Sequence, residues 1–354
     1  MERDIEQRDK ILQATLKRID KECGKGAVIM LGDSPISPVP TIPTGSLSLD
    51  VALGVGGMPR GRIVEAYGPP GCGKTTLGLH MISEAQRTGG LVAYVDLEHS
   101  LDLAYANAIG VDVPTVLLSQ PSSGNEGLKV VDELTLSGTI DIIIVDSVSA
   151  LVPEEELASP IDKQLPGLQA AMMSRALRRL ASRAAVSGTI IYFINQLRMK
   201  IGVMFGSPET TSGGEALKYY STIRLDVRRR EAIKDGDVIL GATTEVKVVK
   251  NKVAPPFRKC KFDIMYGTGI DITRDILDLG VECGIIKLNG AWYSYDDERM
   301  GQGKENAKAW LKEQVDIANH IRDMILIQKL PHRYGVVDVE PEQGGENGGA
   351  DEES

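Results

Sequence analysis

RIVEAYGPPGCGKTT, residues 62–76, sets the spacing GxxxxGK[ST] between an apolar, strand-like run and the helical stretch TTLGLHMISEAQ. That is the context a phosphate-binding loop requires. Glycines let backbone N–H groups face phosphate oxygens, and the start of the helix adds positive potential. The expected nucleotide cradle is Gly68, Pro69, Pro70, Gly71, Cys72, Gly73, Lys74, Thr75 and Thr76. In it Lys74 reaches the β- and γ-phosphates of ATP, and the Thr75 hydroxyl is a ligand for Mg²⁺.

Around this loop, from about 60 to 230, short apolar runs alternate with helical stretches. RIVEAYG, LVAYVD, TVLLSQ, IDIIIVD and TIIYFIN read as buried strands, and LKVVDELTLSG and LQAAMMSRALRRLASRAAV as helices. Such alternation predicts βαβ units and a mostly parallel sheet. STIRLDVRRR and TTEVKVVKNKV alternate with period two and read as antiparallel additions at one side. From about 270 a smaller α/β module follows, with the hairpin-like GIIKLNGAWYSY and the helix NAKAWLKEQV. Near the start, Ile5, Ile11, Leu12, Leu16 and Ile19 fall at helical spacing among charges. A lone helix of this length is marginal in water. It needs its own core or another subunit to dock on, and the pattern does not choose between them.

The chain of 354 residues is 42% hydrophobic and 25% charged, ordinary for a globular protein. No basic start with an apolar run marks a signal peptide, and no run approaches the roughly 20 apolar residues of a membrane span. Cys23, Cys72, Cys260 and Cys283 are scattered without a CxxC pair, which suits a reducing cytoplasm rather than zinc or a disulfide framework. The net charge of −9 is uneven: residues 338–354 hold seven acids and no base, so the rest of the chain carries only −2. A polyanionic partner is not excluded, and the tail should be disordered.

Further residues group with the phosphate loop. Asp146 ends the run DIIIVD, where ligands bind in open parallel sheets, and a carboxylate there can hold Mg²⁺. Glu98 lies just past YVD and could orient and deprotonate a water attacking the γ-phosphate. Asp96 is its in-sequence rival, and His99 a weaker one. Gln196 follows TIIYFIN, where its amide could touch a γ-phosphate; the plainer reading is that Asn195 and Gln196 satisfy turn backbone. KVVKNK puts Lys247, Lys250 and Lys252 on or after a strand, as a solvated face or as cations offered to a neighbouring subunit's ATP. WYSY reads as hairpin core before base stacking, and MMSRAL as helix packing.

The stretch from 195 to 214, NQLRMKIGVMFGSPETTSGG, does not read as structure: cations, an apolar patch, hydroxyls and a glycine pair follow a core strand. With GRIVEAYGPPGCGKTTL, DIIIVDSVSALVP, VKVVKNKVAPPF and GAWYSY…GQGK, it closely resembles the bacterial RecA recombinase family over nearly the whole chain. The phosphate loop alone specifies only a large superfamily; residues 193–220 specify this one.

The resemblance implies an α/β fold: a RecA-like P-loop ATPase core with a mostly parallel central sheet, an N-terminal helical oligomerisation segment and a small α/β C-terminal domain. Its divisions are 1–35 for protomer packing, 36–269 for the core, 270–335 for the C-terminal domain and 336–354 for the acidic tail. It implies an ATP-dependent helical self-filament on single-stranded DNA that exchanges strands with homologous double-stranded DNA. It also implies stimulated self-cleavage of a LexA-type repressor in the SOS response, and a cytoplasmic, nucleoid-associated protein with no membrane partner. It assigns the hydrolytic water to Glu98, γ-phosphate sensing to Gln196, adenine contacts to Asp102 and Tyr105, and cross-subunit ATP contacts to Lys250 and Lys252. DNA loops fall at about 155–167 and 197–214. Arg198 and Lys200 meet phosphates, Ile201 wedges between bases, and Val203, Met204 and Phe205 add apolar contact. Gly213 and Gly214 bring backbone to the DNA; Arg175 and Arg178 follow the first loop.

The sequence departs from the family in places. Pro70, Gly71 and Cys72 replace ESS, Pro166 stands where Met or Val is usual, Ala171 where Arg is usual, and Glu215 where Asn or a base is common. A ring helicase shares the core, but the N-terminal helix and C-terminal module favour the recombinase. A further alternative is an ATP-gated scaffold that binds DNA or proteins without strand exchange; Glu98 favours hydrolysis but does not by itself show exchange.

Overall fold

The computed structural model describes residues 2–30, 38–160, 162–163, 165–199 and 209–335. Lys200, Ile201, Val203, Met204, Phe205 and the acidic tail lie outside the described residues. Contacts divide the chain into residues 1–38 and 39–354. The first unit holds α1 (Glu2–Cys23), on which Ile5, Ile11 and Leu12 are exposed.

In the second unit, α2 (Leu47–Leu53) lies between the short paired strands β1 (Thr41–Ile42) and β2 (Met58–Pro59). The α/β alternation follows as β3 (Ile63–Gly68), α3 (Lys74–Arg87), β4 (Val92–Asp96), α4 (Leu103–Ile109), β5 (Leu117–Ser119), α5 (Gly124–Leu136) and β6 (Ile142–Asp146). Next come α6 (Glu154–Leu157), α7 (Leu168–Ser187), β7 (Ile190–Met199), β8 (Glu209–Thr211) and α8 (Ala216–Tyr220). The long strands β9 (Ile223–Asp235) and β10 (Val238–Asn251) precede β11 (Lys259–Met265) and β12 (Gly269–Ile270).

The main sheet runs β5-β4-β6-β7-β3-β9-β10-β11-β12. Its core strands are apolar on both faces because helices cover both: Ile142, Ile144, Ile190 and Tyr192 turn to one side, Ile143, Val145, Ile191 and Phe193 to the other. Two strands differ from expectation. β9 is parallel to β3, so the antiparallel addition begins only at β10. β5 is not buried: it ends the sheet, and Leu117 and Leu118 are about half exposed. Met172 and Met173 pack in the core as expected.

The C-terminal module comprises α9 (Ile272–Glu282), strands β13 (Ile286–Asn289), β14 (Trp292–Tyr295) and β15 (Glu298–Gln302), α10 (Lys304–Glu313) and α11 (Val315–Lys329). Its own apolar cluster includes Ile276, Leu277, Ile286, Leu311, Ile321 and Ile325. The aromatic run WYSY is only half core. Period two sends Tyr293 and Tyr295 to the cluster, while Trp292 stays exposed with Arg299 5.2 Å from its ring centroid.

Candidate functional site

The phosphate loop joins β3 to α3, as its spacing predicts. Gly71 and Gly73 have φ of 66° and 98°, a region glycine enters without penalty. A Cβ on Gly73 would meet Ile264 at 2.2 Å, and one on Gly68 would meet the Val227 carbonyl at 2.0 Å. Packing as well as φ therefore restricts these positions. Lys74 is buried, and its ammonium donates to the carbonyls of Gly68 (3.0 Å) and Pro69 (2.8 Å). Pro70 and Gly71 are exposed; Cys72 is buried, which pushes its thiol pKa up. Residues 71–76 border a cavity of about 200 Å³ with Tyr105, Thr244, Ile264 and Tyr266. Asp102 caps α4 by accepting from the Tyr105 N–H, and the Tyr105 hydroxyl lies 3.1 Å from Thr76 Oγ1. Tyr266 was not foreseen. Its signal was weak: one tyrosine where β11 turns into a glycine-rich corner.

At the end of β6, Asp146 Oδ2 accepts from Thr75 Oγ1 at 2.9 Å and from the Tyr94 hydroxyl at 2.7 Å. Burial raises the Asp146 pKa, while those two donors pull it back. Hard oxygen donors beside a phosphate loop fit Mg²⁺, which takes few protein ligands and completes its shell with phosphate and water. Among the described residues no cluster of His, Cys, Asp and Glu could hold a metal alone. Thr75 and Asp146 therefore suit a cation that arrives with a nucleotide.

Geometry separates the acid that ends β4 from the one just past it. Asp96 is fully buried and accepts from the backbone of Ser100 and Leu101 and from Gln120 Nε2. Those bonds commit it to holding the turn. Glu98 is exposed, and His99 after it turns back with φ 52°. Glu98 Oε1 accepts from Ser147 Oγ and from Gln196 Nε2, the latter at 2.9 Å. Gln196 therefore does more than satisfy a turn.

The neighbouring Asn195 does hold backbone, and more. Its amide donates to Glu65 Oε1 (2.8 Å) and to the Ser212 carbonyl (3.0 Å). Glu65 is fully buried and pairs with Arg224. Both ends of the basic stretch are thus fixed to the core. They also pair as a ribbon, Leu197 with Thr211 and Met199 with Glu209. Arg198 is exposed, its Nε 3.3 Å from Ser212 Oγ. Gly213 and Gly214 have φ of 83° and 77°; their close approaches are to Val148 and Ala170, each 2.7 Å from a hypothetical Cβ. Glu215 makes no capping hydrogen bond at the start of α8 and instead pairs with Lys218 at 2.8 Å. On α7, Arg179 and Arg183 pair with Asp132, whereas Arg175 and Arg178 face solvent. Part of the first loop, residues 155–157, is helical in α6.

Lys250 is the penultimate residue of β10 and donates to the carbonyls of Lys218 and Tyr219 on α8. Burial, then the charges of Lys252 and Arg224, lower its pKa to about 8. Lys252 is exposed just past the strand, off the regular period. Neither lysine borders the cavity at the phosphate loop.

Residues 10–271 match the family model of the RecA N-terminal domain, and residues 274–329 that of the RecA C-terminal domain. The chain belongs to the RecA family. Curated relatives called Protein RecA are similar over nearly full length. That of Frankia casuarinae is 55% identical over 330 residues, 93% of this chain and 94% of its own. That of Streptomyces avermitilis is 53% identical over 344 residues, 97% and 90%. That of Mycobacteroides abscessus is 54% identical over 329 residues, 93% and 94%. The protein is thus a DNA-dependent ATPase of the RecA family. It forms a helical filament on single-stranded DNA, performs homologous pairing and strand exchange in recombination and repair, and acts in the SOS response. Among the described residues no helix is long and apolar enough to cross a membrane.

Proposed function

We propose that the site works as an ATP-hydrolysing switch whose catalytic carboxylate is linked to the DNA loop. The bond from Gln196 to Glu98 carries this reading, because it joins the candidate base to the residue that opens the basic stretch. Residues 68–76 cradle the phosphates, with the Lys74 ammonium leaving the loop carbonyls for the β- and γ-phosphates. Thr75 and Asp146 hold Mg²⁺, which when bound draws charge from the phosphates. Tyr105 and Tyr266 flank the base, with Asp102 ordering the turn that bears Tyr105. Glu98 orients the attacking water and takes its proton. Gln196 senses the γ-phosphate and passes its state to residues 197–214.

Lys250 and Lys252 supply positive charge to the ATP of a neighbouring protomer, and residues 1–35 dock protomers together. The core of 36–269 and the module of 270–335 act as successive domains, followed by the tail of 336–354. Arg175, Arg178, Arg198 and Lys200 meet DNA phosphates, and Ile201 and Phe205 contact bases. Gly213 and Gly214 let the returning strand lie against the core close to DNA. A LexA-type repressor is the partner in the SOS role, and the protein works at the nucleoid in the cytoplasm.

Glu98→Gln tests the core of this reading. The amide is nearly isosteric but takes no proton, so ATP binding persists while turnover falls about 100-fold or more. Turnover near the wild-type value would overturn it.

A further inference from the structure

A pair of tyrosines lies in one layer beneath the phosphate loop. Register across β4, β6 and β7 sets Tyr94, Ile144 and Tyr192 side by side. Both tyrosine rings are buried, at 1% and 0% exposure. The layer faces α3, where a Cβ on Gly78 would lie 3.5 Å from Ile144 and from the Tyr192 ring. The rings fill apolar space that phenylalanine would fill as well. Their hydroxyls, once buried, need partners.

Those partners differ. Tyr192 donates to the backbone carbonyl of Lys74, a long bond of 3.3 Å. Tyr94 donates to Asp146 Oδ2 at 2.7 Å, the oxygen that also accepts from Thr75. The Tyr94 and Thr75 hydroxyls thus converge on Oδ2, and Oδ1 accepts no hydrogen bond from the described residues. Asp146 is only 4% exposed, so little water competes to orient its carboxylate. A hydrogen bond to an ionised, buried group is strong and directional.

We propose that Tyr94 is a positioning residue: its hydroxyl fixes the Asp146 carboxylate through Oδ2 and so sets how strongly the protein binds the Mg²⁺ that accompanies ATP. The inference rests on the reading of Thr75 and Asp146 as the cation's protein ligands. Groups that orient a metal ligand commonly alter metal affinity by about 10-fold or more when removed.

The test measures binding of a fluorescent, non-hydrolysable ATP analogue across a Mg²⁺ titration, with an EDTA arm and a thermal melt for each protein. Tyr94→Phe is expected to raise the half-saturating Mg²⁺ concentration about 10-fold, with EDTA-arm affinity close to wild type and a modestly lower melting temperature from the lost buried hydrogen bond. Tyr192→Phe, which removes a hydroxyl from the same layer without touching Asp146, should keep the wild-type Mg²⁺ requirement. Mn²⁺ binding followed by electron paramagnetic resonance should rank the variants in the same order. A wild-type Mg²⁺ requirement in Tyr94→Phe, or an equal rise in Tyr192→Phe, overturns the proposal. A wild-type Mg²⁺ response in Asp146→Asn instead overturns the cation reading beneath it.

Discussion

The Gln196 side-chain amide donates to Glu98 Oε1 across 2.9 Å, linking β7 to the turn after β4. The same oxygen accepts from Ser147, one residue past Asp146. Three neighbouring segments of the sheet, β7 and the turns after β4 and β6, are therefore joined through one exposed carboxylate.

Asp96 and Glu98 should fail differently. Asp96→Asn replaces a buried acceptor of three hydrogen bonds with an amide that offers one accepting oxygen. It should destabilise the fold by about 1–3 kcal/mol in denaturant unfolding. Glu98→Gln should leave stability within about 0.5 kcal/mol, because the site is exposed. Equal losses in both proteins would contradict the structural role given to Asp96.

Lys250 gives a pH signature. Its folded pKa of about 8 lies below the usual 10.5, so folding disfavours the charged form. That penalty is fully present below pH 8 and is relieved as pH rises toward the unfolded value. Stability should therefore gain a rising contribution between about pH 8 and 10.5, absent in Lys250→Met. Facing a neighbour's triphosphate, Lys250 should hold its proton to higher pH than it does in the lone protomer, so DNA-stimulated hydrolysis should decline only at pH above about 8, as the charge is lost. Lys250→Arg, which stays charged, should move that decline to higher pH. An unshifted alkaline limb would show that Lys250 does not supply the charge.

Glu215 raises the question of how an acid is tolerated beside the basic stretch. Its pairing with Lys218 on an exposed helix start is worth roughly 0–1 kcal/mol. Glu215→Asn should accordingly change stability and single-strand affinity only modestly. Arg198→Ala should weaken binding and flatten the log–log salt slope by about one. Titration of labelled single strands at several salt concentrations, with a slowly hydrolysed ATP analogue, compares them. A large salt-sensitive gain from Glu215→Asn would mean that the carboxylate faces DNA phosphates.

The tail prediction comes from charge alone. Seven carboxylates beyond residue 337 should compete with duplex DNA for basic surface. Truncation after Val337 should tighten duplex binding and change its salt dependence. Identical binding curves across a salt titration would exclude that competition.

Much of this architecture was legible because each signal was local. The spacing around Lys74 needs only a loop between strand and helix, and IIIVD needs only its run of apolar residues to be read as a covered strand. What escaped depended on contacts far apart in sequence. Nothing near position 117 shows that β5 ends the sheet, and nothing near 223 shows that β9 lies parallel to β3. Tyr94 read as strand apolar content; only the fold brings its hydroxyl to Asp146, 52 residues on. Local sequence left Asp96 as a rival to Glu98, and only the resemblance chose between them; their hydrogen-bond partners give the physical difference. Tyr266 was missed for the same reason, because its relation to Tyr105 exists only across the cavity.

The most direct test of the link between the nucleotide site and DNA is Gln196→Ala. The measurement is the ratio of ATP turnover with saturating single-stranded DNA to turnover without it, with DNA binding followed in parallel by anisotropy. If Gln196 transmits the state of residues 197–214 to Glu98, the ratio falls toward one while the strand stays bound. A ratio equal to that of the unaltered protein, at equal DNA occupancy, would contradict the account.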